Sequence, residues 1–301
     1  MSNLLLLIIC FLAGIILRKT GRFPESTPAA LNGFIIHVSL PALAILHIHR
    51  LTLDSSLGYA AGMAWLLFGA GALFFRIVGR VAGFSRDTVG ALVLVGGLGN
   101  TSFVGLPMIE AYYGRELLGV GIVADMCGSF LLLSTLGVMA AVTFSSGELP
   151  FRQMVRKILL FPPFQALLLA LLLRPVPFPG ELNTVLQRIG DTLTPLALAS
   201  VGFQLRLGEL RTVLKPLATG LLYKLFLGPA VVYLLYVVIC GGHGPIMRVT
   251  LFEAAMAPMI SAGIVAVDHK LNPSLVTLMI GLGIPLSFLT LPIWWWLLQG
   301  V

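Results

Sequence analysis

Apolar residues run along this chain in long blocks, and polar and basic residues collect in the short stretches between them. A helix that crosses a bilayer needs roughly 20 mostly apolar residues. Ten blocks approach or exceed that length, at about 3–17, 28–47, 57–79, 89–112, 117–144, 154–173, 189–205, 212–239, 246–268 and 273–298. The connections are too short for a folded water-soluble domain, so a single transmembrane domain is expected to fill residues 1–301. A leader peptide carries its positive charge ahead of its apolar core. Here Arg18, Lys19 and Arg22 follow the first block, which predicts a retained helix with its N-terminus outside. The expected fold class is an all-α membrane protein with ten transmembrane helices.

Two blocks are interrupted. The fourth contains "GGLGNTSFVGLP", Gly96 to Pro107, with four glycines and one proline in twelve residues. Proline costs about 3 kcal/mol in a helix interior and glycine about 1 kcal/mol. Lipid offers nothing to bond the freed amides, so irregular backbone at this depth must be buried in protein or line a cavity. Two half-helices joined by an unwound stretch are expected, with Pro107 near the start of the second. Asn100, Thr101, Ser102 and Gly105 lie at this break. The ninth block carries "EAAMAPMISAG", interrupted by Pro258 and followed by Ser261 and Gly263. Small residues also let membrane helices pack closely. Two interruptions at corresponding places point instead to a substrate site. Half-helix N-termini carry about half a positive charge and free N–H groups, which suits a carboxylate.

The places correspond because the chain is similar to itself at an offset of about 155 residues. "SLPALAILHI" (Ser39 to Ile48) aligns with "LTPLALASVGF" (Leu193 to Phe203), and "SFVGLPMIEAYYG" (Ser102 to Gly114) with "PMISAGIVAVDHK" (Pro258 to Lys270). Repeat 1 covers about 1–145 and repeat 2 about 150–301. Five helices per repeat is an odd number, so the second half enters from the opposite side, a 5+5 inverted repeat. The Pro-Gly-rich stretch from Arg174 to Asn183 is expected to join the halves with little regular structure.

Composition agrees: 58% of residues are hydrophobic and 10% charged, and the mean hydropathy is +1.00. Soluble domains carry about 25% charged residues. The net charge of +7 would suit nucleic acid, but its placement argues against that partner. Arg18, Lys19, Arg22, Arg76, Arg80, Arg86, Arg152, Arg156, Lys157, Arg206, Arg211, Lys215 and Lys270 fall on one side. Arg50, Arg115, Arg174, Arg188 and Arg248 fall on the other. Thirteen against five puts the first group in the cytoplasm and both termini outside, in an inner (plasma) membrane. Trp294, Trp295 and Trp296 suit an outer interfacial belt.

Ionisable residues inside a span are candidates for function. Lys224 lies near the midplane of the eighth block, Asp125 in the fifth, and Glu253 at the start of the interrupted ninth. Lys224 is expected to support the crossover, pair with Asp125, or bond carbonyls freed at the breaks. Asp125 and Glu253 are candidate proton carriers. Glu110 and Asp268 read as interfacial, and Asp191, close to Arg188, as support for the start of the seventh helix. Cys10, Cys127 and Cys240 read as buried hydrophobes, and His47 and His49 as interfacial residues of an outer loop. No metal or cofactor site is expected. HExxH, Walker A and paired Asp-rich motifs are absent, so the chain is not read as an enzyme.

"GNTSFVGLPMIEAYYG" resembles the fourth-helix signature of the auxin efflux carrier family. "TPLALASVGFQL" (Thr194 to Leu205) is similar to that family's seventh helix, and Ala254 to Pro292 to its ninth and tenth. The absence of a long central loop points to the short bacterial branch, which is malonate/malate permease-like. The resemblance implies a scaffold of helices 1, 2, 6 and 7 and moving transport helices 3–5 and 8–10, with substrate held where helices four and nine cross. It implies weak-acid substrates, and it gives Asn100, Pro107 and Pro258 binding or crossover roles. No Asn or Gln stands at the second crossover, so its polar share falls to Ser261 and main chain. The function expected is secondary active transport of small carboxylates by elevator-like alternating access, coupled to protons or sodium. A sodium-coupled symporter of the bile-acid type and a passive anion channel are the alternatives. The partners expected are the anion and the lipid bilayer, with a homodimer left open.

Overall fold

A computed structural model describes residues 2–50, 55–145, 159–204 and 213–301. Every named element among them is helical, as lipid requires when each backbone group must find its partner within the chain. The helices are α1 (Ser2–Lys19), α2 (Thr27–His49), α3 (Leu57–Ala82), α4a (86–96), α4b (101–113), α5 (Arg115–Phe144) and α6 (Pro162–Leu172). A helix at Gly180–Gly190 follows, then α7 (Leu193–Gln204), α8 (Leu214–Ile239), α9a (Pro245–Ala254), α9b (Ile260–Asp268) and α10 (Pro273–Leu297). Five of these segments are long and apolar enough to cross a bilayer: Thr27–His49, Leu57–Ala82, Arg115–Phe144, Leu214–Ile239 and Pro273–Gly300.

The chain divides into two compact units. The first comprises Met1–Asp54, Ser102–Ile122 and Val155–Leu205. Its closest pairing is α1 on α7. Glycine makes that approach: a Cβ on Gly202 would lie 2.0 Å from the Phe11 carbonyl oxygen, and one on Gly14 2.1 Å from that of Ala199. Without a hydrophobic drive between helices in lipid, such small-residue contacts supply the packing. Polar side chains add Ser200 Oγ donating to Asn32 Oδ1 at 2.6 Å and the Ser39–Thr192 hydroxyl pair at 2.7 Å.

The second unit comprises Ser55–Thr101, Val123–Met154 and Arg206–Val301. α3 packs on α5, α8 and α9a. Tyr223 anchors α8 to α3: its hydroxyl donates to the Leu67 carbonyl at 2.6 Å, and its ring meets Phe74 and Phe75. A wide π turn over Tyr223–Leu227 frees carbonyls, and Trp294 Nε1 donates to that of Leu225 at 2.8 Å.

Several expectations change. Trp294 is buried while Trp296 is 69% exposed, because consecutive helical residues point about 100° apart; the three tryptophans do not form one belt. Gly180–Gly190 is a helix, where an irregular linker was expected, and its start after Pro179 is the position proline favours. His47 and His49 sit on α2, not in a loop. His49 Nε2 is 2.9 Å from the Val176 carbonyl oxygen, and the ring stacks on Phe178 at 3.8 Å. Arg152, Arg156, Lys157, Arg206 and Arg211, which carry part of the charge asymmetry, lie outside the described residues, as does the start of the sixth block.

Candidate functional site

In the second unit two helices stop at matching points. α4a ends at Gly96, with Gly97 as its helical cap, and the chain is non-helical from Leu98 to Asn100; α9a ends at Ala254 and the chain is non-helical to Met259. The two stretches pair antiparallel at Gly99 and Pro258. Asn100 N–H donates to the Ala257 carbonyl at 2.8 Å, and Met259 N–H donates to the Leu98 carbonyl at 3.1 Å. A step of 159 residues forward from the donor Asn100 reaches the donor Met259, and the same step back from the acceptor Ala257 reaches the acceptor Leu98. Local sequence forces both breaks, since Pro258 has no N–H to continue a helix and the glycines pay most to be helical. Mutual pairing then satisfies part of the backbone that lipid cannot.

Side chains close around this bridge. Asn100 is 1% exposed, Thr101 0% and Lys224 0%. Lys224 Nζ donates to the Ala254 carbonyl at 2.8 Å, a carbonyl freed because α9a ends there. Of the roles expected for Lys224, this is the bond to broken-helix backbone. A Cβ on Gly99 would lie 3.3 Å from Lys224 Nζ, so a bare glycine leaves room for the ammonium. Thr101 Oγ1 donates to Asp125 Oδ1 at 2.5 Å, tying the first residue of α4b to α5. Asp125 is 2% exposed and Glu253 0%; Glu253 lies within electrostatic reach of both Asp125 and Lys224. Pro258 rests on Gly283 of α10, where an added Cβ would approach its Cδ to 2.6 Å.

Asn100, Thr101, Pro258, Lys224, Asp125 and Glu253 are thus gathered in one unit. Ser261 stands half-buried in the first turn of α9b. Gly263 faces Ile280 and Val276 of α10, and its missing side chain serves that packing. Ser102, Gly105 and Pro107 continue along α4b, with Pro107 in the first turn of its regular α-helical part, Leu106–Tyr113. Sequence reasoning passed over Gly99 and the buried Ser129, whose spacing of four from Asp125 was the available signal.

In the first unit the segment after Pro107 carries a polar network. Glu110 accepts from Thr194 Oγ1 at 3.0 Å and from Arg115 Nε at 2.8 Å. Arg115 also lies 3.1 Å from Asp191, which accepts from Gln187 at 2.7 Å. Asp191 therefore pairs with Arg115, where Arg188 was expected.

Apolar helices around broken, charge-lined backbone are the build of a multi-pass membrane transport protein. A family model described as "Membrane transport protein" matches residues 1–147 and 149–295. The chain belongs to that family, the auxin efflux carrier family. It is 26% identical over 299 residues to an uncharacterized transporter of Methanothermobacter thermautotrophicus, covering 97% of this chain and 96% of that protein. It is 23% identical over 309 residues to an uncharacterized transporter of Methanocaldococcus jannaschii, covering 99% and 98%.

Proposed function

We propose that this transporter is a secondary carrier that moves small organic anions, carboxylates above all, by alternating access. The reciprocal bridge carries the proposal: Asn100 to Ala257 and Met259 to Leu98 exchange under one numerical shift. That reciprocity is what a local two-fold relation between inverted five-helix repeats would leave behind. It supports ten spans in a 5+5 plan, with helices 1, 2, 6 and 7 as scaffold and 3–5 and 8–10 as the transport part. The excess of Lys and Arg on one side of the expected spans supports a plasma-membrane topology with that side in the cytoplasm and both termini outside.

The bridge consumes the N–H groups of Asn100 and Met259. By helix geometry, those of the next residues, Thr101 to Phe103 and Ile260 to Ala262, have no carbonyl one turn earlier to bond. Two helices with positive N-terminal ends thus begin at the paired stretch, α4b at Thr101 and α9b at Ile260. One side adds the polar groups of Asn100, Thr101 and Ser102; the other adds Met259, Ile260 and Ser261. An anion with one polar, hydrogen-bonding end and a small apolar body matches this asymmetry, and short mono- and dicarboxylates of the malonate and malate kind have that form.

The test is uptake of labelled short carboxylates into proteoliposomes. Saturable uptake and counter-substrate exchange are expected, with Asn100→Ala reducing uptake tenfold or more. Flux that neither saturates nor exchanges would identify a channel, and failure to move any organic anion would overturn the substrate class.

A further inference from the structure

The anion site proposed above makes no use of the polar network in the first unit, yet that network holds down one particular piece of chain. Ser102–Ile122 comprises α4b, the turn at Gly114 and the first turns of α5, and it belongs to the first unit. The neighbouring stretches, Ser55–Thr101 and Val123–Met154, belong to the second. Both ends of this hairpin fall near irregular backbone. Before it lies the non-helical stretch from Leu98 to Asn100, and after it the wide π turn Ala124–Phe130. A few residues at the ends of elements are what absorb the dihedral changes of a hinge. Gly114, with φ +88°, makes the reversal between the two helices, a conformation that glycine adopts without cost from a Cβ.

The hairpin packs on α1 and α7, and polar side chains hold its outer end. Glu110 and Arg115 come from the hairpin; Gln187, Asp191 and Thr194 come from α7 and the helix and turn before it. Glu110 Oε2 accepts from Thr194 Oγ1 at 3.0 Å, and Glu110 Oε1 accepts from Arg115 Nε at 2.8 Å. Arg115 Nη1 lies 3.1 Å from Asp191 Oδ1, which also accepts from Gln187 Nε2 at 2.7 Å. Beside them Leu43, Leu106, Leu118 and Leu193 line a cavity of about 10 Å³, no more than a single water needs, so the hairpin fits the surface it rests on.

This seam is built unlike the α1–α7 contact, where Gly14 and Gly202 bring backbones together. The side chains of Arg115 and Asp191 are 49% and 42% exposed, and ion pairs so exposed are individually weak. Polar contacts of this kind mark interfaces between parts that move. They are strong enough to bias a two-state element and weak enough to release it within a transport cycle. In the division proposed above α4b and α5 move and α7 stays. The bonds from Glu110 to Thr194 and from Arg115 to Asp191 must then break and re-form in every cycle.

We infer that Ser102–Ile122 is the outer gate of this carrier, latched shut by Glu110 and Arg115 against Thr194 and Asp191. The inference rests on the carrier reading; it names the element that opens and the residues that set how long it stays docked. Arg115 is the link between the carboxylates of gate and scaffold, so removing its charge leaves only the Glu110–Thr194 bond across the seam. The latch touches no substrate and acts on the docked-to-released ratio alone.

Spin labels placed off the latch test this without any substrate. They are attached at Glu116→Cys and Val185→Cys, both exposed positions, in purified protein that also carries Cys10→Ala, Cys127→Ala and Cys240→Ala. A short gate-to-scaffold distance should dominate, with a longer one beside it. Arg115→Gln and Glu110→Gln should each raise the longer-distance population, by up to about fivefold, and Arg115→Lys, which keeps the charge, should raise it less. One unchanged distance in the parent and in both glutamine variants would make the hairpin a fixed part of the scaffold and overturn the gate, whatever is transported. In proteoliposomes, a cleavable cross-linker matched to the short distance and joining the same two thiols should abolish carboxylate uptake, and cleavage should restore it. Uptake that continues through cross-linked protein would overturn the gate and leave the carrier standing. If neither form takes up any organic anion, the substrate class fails, and the spin-label distances still decide the gate.

Discussion

Replacing Lys224 with methionine keeps a side chain of similar length and removes only the charge and the donor. The charge-assisted bond to the Ala254 carbonyl, 2.8 Å long and fully buried, is worth about 1.5–3 kcal/mol. The substitution also removes a cation whose field reaches Glu253. Lys224→Met should therefore lower stability by at least the worth of that bond, about 1.5–3 kcal/mol. A double-mutant cycle sharpens the test. Glu253→Gln removes one carboxylate, so Lys224→Met/Glu253→Gln should be more stable than the sum of its single costs allows, by about 1–3 kcal/mol. Reversible unfolding in mixed micelles, with rising dodecyl sulfate fraction and tryptophan emission as the signal, reads all four proteins. If Lys224→Met lies within about 0.5 kcal/mol of wild type, the range of an ordinary surface change, the buried charge set contributes nothing. If the two single costs simply add, Lys224 and Glu253 do not sense each other.

Gly202→Ala places a methyl 2.0 Å from the Phe11 carbonyl oxygen, and backbone cannot yield as a side chain can. A loss of about 1–3 kcal/mol is expected for such overpacking, whereas Gly69→Ala, on a helix position open on all sides, should be neutral or gain up to about 1 kcal/mol; equal thermal stabilities in detergent would contradict the packing account. Arg115 is 49% exposed although it spans Glu110 and Asp191. Arg115→Gln should cost no more than about 1 kcal/mol, less in high salt, and a salt-independent loss above about 2 kcal/mol would show the network to be more than a surface ion pair.

Much of the fold was legible because lipid leaves few choices. Block length and apolarity select helices, since no other open structure satisfies its own backbone in hydrocarbon. The two breaks were equally local: Gly96 to Gly99 and Pro258 carry their helix-breaking chemistry in their own side chains or lack of them. Less was legible where the outcome depends on rotation about a helix axis. Trp294 turns inward and Trp296 outward, and Gly263 packs on Ile280 although it neighbours the break.

By itself, then, the sequence determined that this protein is a helical membrane transporter, where its helices fracture, and which few ionisable residues lie among apolar ones. Only the tertiary structure decided that the two fractures bond to each other, that Lys224 reaches the Ala254 carbonyl thirty residues away, and that Thr101 holds Asp125. The reason is physical. Helix formation and helix breaking are set within a turn or two of chain, whereas the partner of a buried charge depends on the depth, tilt and rotation at which separate helices pack.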